Sequence, residues 1–339
     1  MIDVGWWVVL QSQEVGSTPL AARRFGHDLV FWRDGDGAVV AQDDRCPHRL
    51  ARLSTGRVVD GCIECPFHGF RFDPDGSCTE IPAHPERRIP RAMRVRSWPT
   101  REAHGFVWVW PDETSEPTAE LPWFEDLDDT WSVAGLEATW DADLGRCIEN
   151  QLDYTHLAFV HKSTIGRFAG KSPGFEVVED EVAGSHRIRF GVPDAAEWGI
   201  EWREPNVWVN RISANNRITL AFVPIDAGRT KYYLQNWQKQ VTVPGLAWLW
   251  QKLAMAANRY ILAEDRAVVE GQTPSVDRLD AEEILVPSDG PVLMFRTLRE
   301  RRRRELAARR SRGAASHDEP AGSPANPIEL GRGSDQRAS

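Results

Sequence analysis

One 23-residue stretch holds five side chains of metal-binding type. Cys46-Pro-His48 offers a thiol and an imidazole two residues apart, and Cys65-Pro-Phe-His68 offers the same pair three apart. Two short loops, each giving one thiolate and one imidazole, suit a [2Fe–2S] cluster in which two thiolates hold one iron and two imidazoles the other. Neutral imidazole makes such a cluster less negative and raises its potential above that of an all-thiolate cluster. Cys62 forms a C-x-x-C with Cys65, so a zinc site from Cys62, Cys65, His48 and His68 competes. That site would leave Cys46 idle. A buried disulfide is a third reading and needs an oxidising compartment. The cluster uses both pairs, leaves Cys62 a spare thiol, and makes Cys78 and Cys147 ordinary small buried residues.

A second constellation follows in Asn150-Gln-Leu-Asp153-Tyr-Thr-His156-Leu-Ala-Phe-Val-His161. Residues five apart on an ideal helix diverge by about 140°, so His156 and His161 converge only if a π-type turn intervenes or the helix ends between them. Asp153 precedes His156 by three and can accept its ring N–H, orienting it. Two imidazoles and one carboxylate make the facial triad of non-haem Fe(II) oxygenases. Asp265 is a candidate carboxylate, because Ile261, Leu262, Val268 and Val269 surround it at helical spacing and a bare acid there is costly. Glu264 competes, since a wheel drawn from Leu246 places it on the upstream apolar stripe. Spacing alone leaves the two open. Taken singly, the histidines could be satisfied core residues, and the acids caps or partners of Arg259 or Arg266. Beside the cluster motif, they form a second metal site.

The elements that must position these residues differ between the two halves. Residues 1–112 read as all-β, with apolar runs flanking Asp34-Gly35-Asp36-Gly37 and Asp73-Pro74-Asp75-Gly76. DETSEPTAELP (112–122) is a polar, Pro-containing boundary. CIENQLDYTHLAFVHK (147–162) reads as helix, 175–243 as alternating strands, and the chain from Pro244 as a long helix with Leu246, Leu249, Trp250, Leu253, Ala257 and Ile261 at spacings of three and four. This is an α+β chain with expected units 1–115, 116–306 and a disordered tail, 307–339. RERRRRELAARRSR (299–312) reads as a solvated helix end rather than a nucleic-acid patch. The 339 residues carry a formal net charge of −9, which argues against nucleic-acid binding. No apolar run reaches the ~18 residues of a membrane span. MIDVGWWVVLQSQE lacks a basic leader, and five cysteines are an odd count, so a cytoplasmic protein with reduced thiols is expected.

CPHR…CPFHG, N-x-x-D-x-x-H-x-x-x-x-H and EDxxVVE make the sequence resemble the Rieske non-haem iron oxygenases, or aromatic-ring-hydroxylating oxygenases, over about residues 5 to 300. IPAHPE (81–86) and VPSDGPVLMFRTLRE (286–300) are similar to the branch of single-subunit O- and N-demethylases and alicyclic or alkaloid hydroxylases. The resemblance implies an all-β Rieske domain, a helix-grip catalytic domain, and three subunits in a head-to-tail ring. It implies that Cys46, His48, Cys65 and His68 hold the cluster. It also implies that His156, His161 and Asp265 hold a mononuclear Fe(II), which favours Asp265 over Glu264. Asp153 would link His156 to a cluster histidine, His68, of the neighbouring subunit, and Asn150 would lie near the iron.

Electrons would come from a separate reductase or ferredoxin using NAD(P)H, since the chain shows no Gly-rich nucleotide loop. Dioxygen would hydroxylate or demethylate a small organic, aromatic or alicyclic, substrate. Strands in 195–240 would line the pocket, with Trp208, Asn210, Phe222 and Trp237 as candidates. The rival is an electron carrier with the same cluster. It would need only the first ~110 residues, with no use for the second constellation.

Overall fold

A computed structural model describes residues 4–113, 115–118, 120–168, 176–182, 184–191, 199–277, 279 and 282–316. Its first eleven strands are β1 (Trp7–Gln11), β2 (Leu20–Arg24), β3 (His27–Arg33), β4 (Val39–Asp43), β5 (Arg57–Val59), β6 (Cys62–Glu64), β7 (Arg71–Phe72), β8 (Cys78–Glu80), β9 (Ser97–Trp98), β10 (Thr100–Ala103) and β11 (Phe106–Val109). They form three antiparallel sheets, β1-β11-β10, β2-β3-β4-β9 and β5-β6-β7-β8. The two turns expected from sequence form for a local reason. Asp34 accepts the N–H of Asp36 and Ala38, and Asp73 accepts that of Ser77. Gly37 and Gly76 take the left-handed conformation that closes each turn.

The second half contains β12 (Ser132–Trp140), α1 (Leu144–Leu152), α2 (Leu157–Val160), β13 (Glu176–Val182), β14 (Ser185–Gly191), β15 (Gly199–Arg203), β16 (Val207–Ser213), β17 (Asn216–Asp226), β18 (Arg229–Gln238), α3 (Pro244–Val269) and α4 (Gly290–Ser316). Its seven strands form one antiparallel sheet in the order β12-β18-β17-β16-β15-β14-β13. Strand side chains alternate between faces. On β17, Ile218, Leu220 and Phe222 therefore join the core beneath the helices, while Ala221 and Val223 pack with Trp6, Val8, Phe106 and Trp108 of the first half. Both faces of the sheet are covered over much of its central strands, β15 to β18.

The helices depart from the sequence expectation in three places. Residues 147–162 are two helices, because the chain leaves α1 at Asp153 in an extended conformation. On α3 the residues that go inside are Ala247, Gln251, Asn258, Leu262, Asp265 and Val269. The apolar stripe begun at Leu246 faces outward over its first turns, with Leu246 59 % and Leu253 62 % exposed. A wheel anchored on its first residues therefore misplaces the buried face, which carries Asp265, while the last members of the stripe, Ala257 and Ile261, turn toward the sheet side and line a cavity there. The third departure is α4, which continues to Ser316, past the expected tail boundary at 307. Leu306 is buried and LAARR is a good helix-forming sequence. The rest of that tail, 317–339, lies outside the described residues. The basic run is also less solvated than expected, since Arg301, Arg302 and Arg303 pair with Glu179, Glu204 and Asp277. Among the described residues no helix is long and apolar enough to cross a membrane.

Asn206 is wholly buried and ties the two halves together. Its Nδ2 donates to the carbonyls of Val8 and Phe222, and its Oδ1 accepts the Val8 N–H at 3.2 Å. Val8 adjoins the register shift in the β1–β11 pairing, where a strand partner alone would not satisfy it. Asn206→Leu strands three buried backbone groups and should lower unfolding free energy by about 3 kcal/mol in denaturant titration.

Candidate metal centres and the substrate cavity

The two loops of the first half are built alike. In one, the Leu50 N–H donates to the Cys46 carbonyl and the Cys46 N–H to Ala51. In the other, the Gly69 N–H donates to Cys65 and the Cys65 N–H to Phe70. The fourth residue after each cysteine is left-handed, Leu50 at φ 63° and Gly69 at φ 71°. Each turn thus buries its cysteine and sends its histidine outward. Cys46 and Cys65 are buried, His48 and His68 are exposed, and the two imidazole centroids lie 4.7 Å apart. Burial lifts the Cys46 thiol to about 11, with the adjacent Cys65 thiol adding to the rise. Cys62 stands apart on β6, with its Sγ 3.9 Å from Thr79 Oγ1. All five cysteines are unpaired.

The second site forms where α1 ends. Asp143 caps α1 by accepting the Gly145 N–H at 2.8 Å. At the other end Asp153 Oδ1 accepts both the N–H and the hydroxyl of Thr155, a side-chain turn that ends the helix. His156 then sits at the start of the one-turn helix α2 and His161 at its end. The break brings the rings to a centroid distance of 5.4 Å. Asp265 comes from α3, 2 % exposed, with Oδ1 3.4 Å from His156 Nε2 and 3.0 Å from His161 Nε2. Among the described residues, only His156, His161 and Asp265 bring three such ligand atoms within 4.8 Å of one another. Among the described residues no three donors of Cys46, His48, Cys62, Cys65 and His68 lie within that limit, which suits a two-iron cluster better than a single zinc ion.

Glu264 takes a different place from its neighbour. It accepts from His161 Nδ1 at 2.8 Å and from Thr164 at 3.1 Å, behind the ring, and so turns Nε2 toward Asp265. Asp153 Oδ2 lies 3.5 Å from His156 Nδ1, too long for a full hydrogen bond, and that nitrogen has no other partner. Burial works against charge on His156, yet Asp153 and Asp265 outweigh it and push its pKa up to about 9. Burial likewise opposes charge on Asp265, but the two imidazoles hold it at about 2.

Beside this site lies a cavity of about 280 Å³. Trp208 and Asn210 line it, as expected from sequence. Phe222 and Trp237 do not. Phe222 is packed in the core and Trp237 faces the first half, one residue out of phase with Asn236. Asn150 is absent from the lining. Its neighbour Gln151 is there instead and donates to Asp265 Oδ2 at 3.3 Å.

Residues 5–99 match the Rieske [2Fe-2S] domain and residues 140–305 the vanillate O-demethylase oxygenase C-terminal domain. Methylxanthine N1-demethylase NdmA of Pseudomonas putida is 30 % identical over 296 residues, 82 % of this chain and 81 % of that protein. The putative toluene-4-sulfonate monooxygenase system iron-sulfur subunit TsaM2 of Comamonas testosteroni is 34 % identical over 189 residues, 54 % of this chain and about half of that protein, 53 %. The structure of the Pseudomonas putida NdmA QL mutant with caffeine has a TM-score of 0.76 at 28 % identity, covering 89 % of this chain and 91 % of that one. The chain belongs to the Rieske non-haem iron oxygenases.

A Rieske oxygenase component carries a [2Fe–2S] cluster in its first domain and a mononuclear iron in its second. The second donor set fits that iron on its own chemistry. Asp265 Oδ1 is buried between two imidazole nitrogens and hydrogen-bonds to neither, an orphan acceptor that a cation would satisfy.

Placement of the site rests partly on Asp143. Burial raises its pKa to about 6, with Arg299 opposing and Asp277 adding. A raised carboxyl pKa contributes stability that is full below about pH 4 and is lost as pH rises through about 6. Asp143→Asn keeps the cap without the charge. It should be more stable than the parent at pH 7.5 by about 1–2 kcal/mol, and that margin should shrink as pH falls to 4. A margin independent of pH in parallel melts would contradict this assignment.

Proposed function

We propose that the chain is the terminal oxygenase of a Rieske system, with a cluster domain over residues 1–115 and a catalytic domain over 116–306. A separate reductase or ferredoxin, drawing on NAD(P)H, supplies electrons, and dioxygen is the oxidant. The observation that carries the reading is the convergence of His156, His161 and Asp265 beside a largely apolar cavity. An electron carrier has no use for either.

In this reading Cys46, His48, Cys65 and His68 hold the cluster, and His156, His161 and Asp265 hold the iron. When bound, the iron supplies the activation of dioxygen that no side chain provides. The protein's own work is positional. Glu264 and Gln151 fix His161 and Asp265, and the Ile and Leu walls keep water from the reacting carbon. A C–H bond of the bound substrate would gain one oxygen atom, the other leaving as water with two electrons from the reductase, and where that carbon is a methyl group on nitrogen or oxygen the hydroxymethyl product would release formaldehyde. NdmA is named a demethylase, and methyl removal or hydroxylation of a small aromatic or alicyclic compound is the proposed outcome.

Asp153 is proposed as the link from His156 toward His68 of a neighbouring copy in a head-to-tail trimer. Asp153 is partly exposed, and His68 stands outward at the tip of its loop. Five unpaired cysteines suit a cytoplasmic setting. Asn150 is proposed to lie near the iron without lining the cavity; its Nδ2 is buried and makes no hydrogen bond among the described residues.

His161→Ala should keep the cluster's visible spectrum, drop iron from about three to about two per chain, and abolish dioxygen uptake with a reductase. Retained turnover would overturn the site. Glu264→Gln should weaken Fe(II) binding about tenfold or more, read by chelator competition, and Cys62→Ser should leave the spectrum unchanged.

A further inference from the structure

The cavity wall is not uniformly apolar. Across β15 to β18 the register sets Ile200, Asn210, Ile218 and Asn236 in one row, so all four point to the same face. Asn216 lies further along β17, and Asn258 enters from α3 opposite the sheet. Four asparagines on the wall of one small cavity need an account, because a buried polar group without a partner is costly.

One of the four has a structural explanation. Asn236 Nδ2 donates to Gln251 Oε1 at 2.8 Å, and Gln251 in turn donates to the Ser132 carbonyl, which ties α3 to the sheet. The other three lack one. Asn216 Oδ1 is buried with no hydrogen bond among the described residues. The side chains of Asn210 and Asn258 make none within the described residues, although Asn258 is only 7 % exposed. Each amide presents a donor and an acceptor. The charge of the cavity is equally informative. Among its described lining residues there is no lysine or arginine, and the ionisable groups are Asp153, Asp265 and the two histidines already assigned to the metal site. A carboxylate or sulfonate on a substrate would lose its water there and find no cation away from the iron.

We infer that the substrate is an uncharged molecule bearing a carbonyl or amide group, held by Asn210, Asn216 and Asn258. This rests on the oxygenase reading above and narrows its substrate class. The Ile, Leu and Trp208 surfaces take the hydrocarbon frame. The amides fix its rotation and so select which carbon meets the iron. A cavity of about 280 Å³ limits that frame to one or two rings. Acidic aromatic compounds, including sulfonates such as the one in the name of the Comamonas relative, fall outside the class.

The test compares three probes of one shape on the anaerobic holoprotein by calorimetry: 4-methoxybenzamide, 4-methoxybenzoate and 4-methoxytoluene. The amide should bind about tenfold or more tighter than either of the others. Asn210→Leu and Asn258→Leu should each remove most of the benzamide's advantage over 4-methoxytoluene, while keeping the cluster's visible spectrum and the iron content. Asn258→Gln, which retains the amide, should recover part of that advantage. The inference is overturned if the wild-type protein binds the benzoate as tightly as the benzamide, gives the benzamide no advantage over 4-methoxytoluene, or binds none of the three. Turnover is not read, so such a failure leaves the oxygenase reading standing. Lack of a third iron per chain would remove that reading whatever the probes do.

Discussion

The structure turns on one buried carboxylate. Asp265 is 2 % exposed on a helix whose buried face is otherwise largely apolar or amide, and an ionised carboxyl there is prohibitive without compensating charge. Two imidazoles and Gln151 surround it, and every larger feature serves to bring them there. The α1 helix is capped by Asp143 at one end and broken by Asp153 at the other, so that α2 carries its two histidines back toward α3. Glu264, one residue from Asp265 and on a different face of the helix, orients the His161 ring from behind. Adjacent acids thus take two roles because a helix turns about 100° per residue.

The surrounding charge networks hold this geometry in place more than they add stability. Beneath α1, Arg146 and Arg296 share Glu149 and Glu283, and Arg299 pairs with Asp277. Buried ion pairs gain little net free energy, but breaking one is expensive, so they fix where α1 and α4 sit. The sheet does the corresponding work for the two halves. One face supplies the cavity wall and the other packs on β1 and β11 of the first half. Asn206 crosses between the halves, together with the Phe25 and Gly26 N–H groups on the carbonyls of Pro224 and Ile225 and with Glu14 on Lys231 and Tyr233. The donor sites and the cavity are therefore positioned by one continuous scaffold.

Much of the site was legible in the residues themselves. Thiol–imidazole pairs are rare enough that type and spacing carry chemistry, and an acid bracketed by apolar neighbours at helical spacing marks a buried charge. Spacing leaves Asp265 and Glu264 open and the family resemblance favours Asp265; the structure brings His156, His161 and Asp265 together. What was not legible depends on direction. The stripe from Leu246 is real but its first turns face outward, because Ala247, Gln251 and Asn258 make the contacts inside. Phe222 and Trp237 have the size expected of pocket residues, yet packing removes one and strand phase the other. Gln151 escaped notice because no local pattern distinguishes it from Asn150. The row of asparagines emerges only once three strands are in register.

Anomalous diffraction at the iron edge, on crystals of the reconstituted protein, tests the central claim most directly. The account predicts a close pair of irons between the loops at Cys46–His48 and Cys65–His68, and a single iron bound by Nε2 of His156, Nε2 of His161 and Asp265, with Glu264 outside the coordination sphere. An iron bound by Glu264 in place of Asp265, or no peak at the second site in an iron-replete crystal, would contradict it.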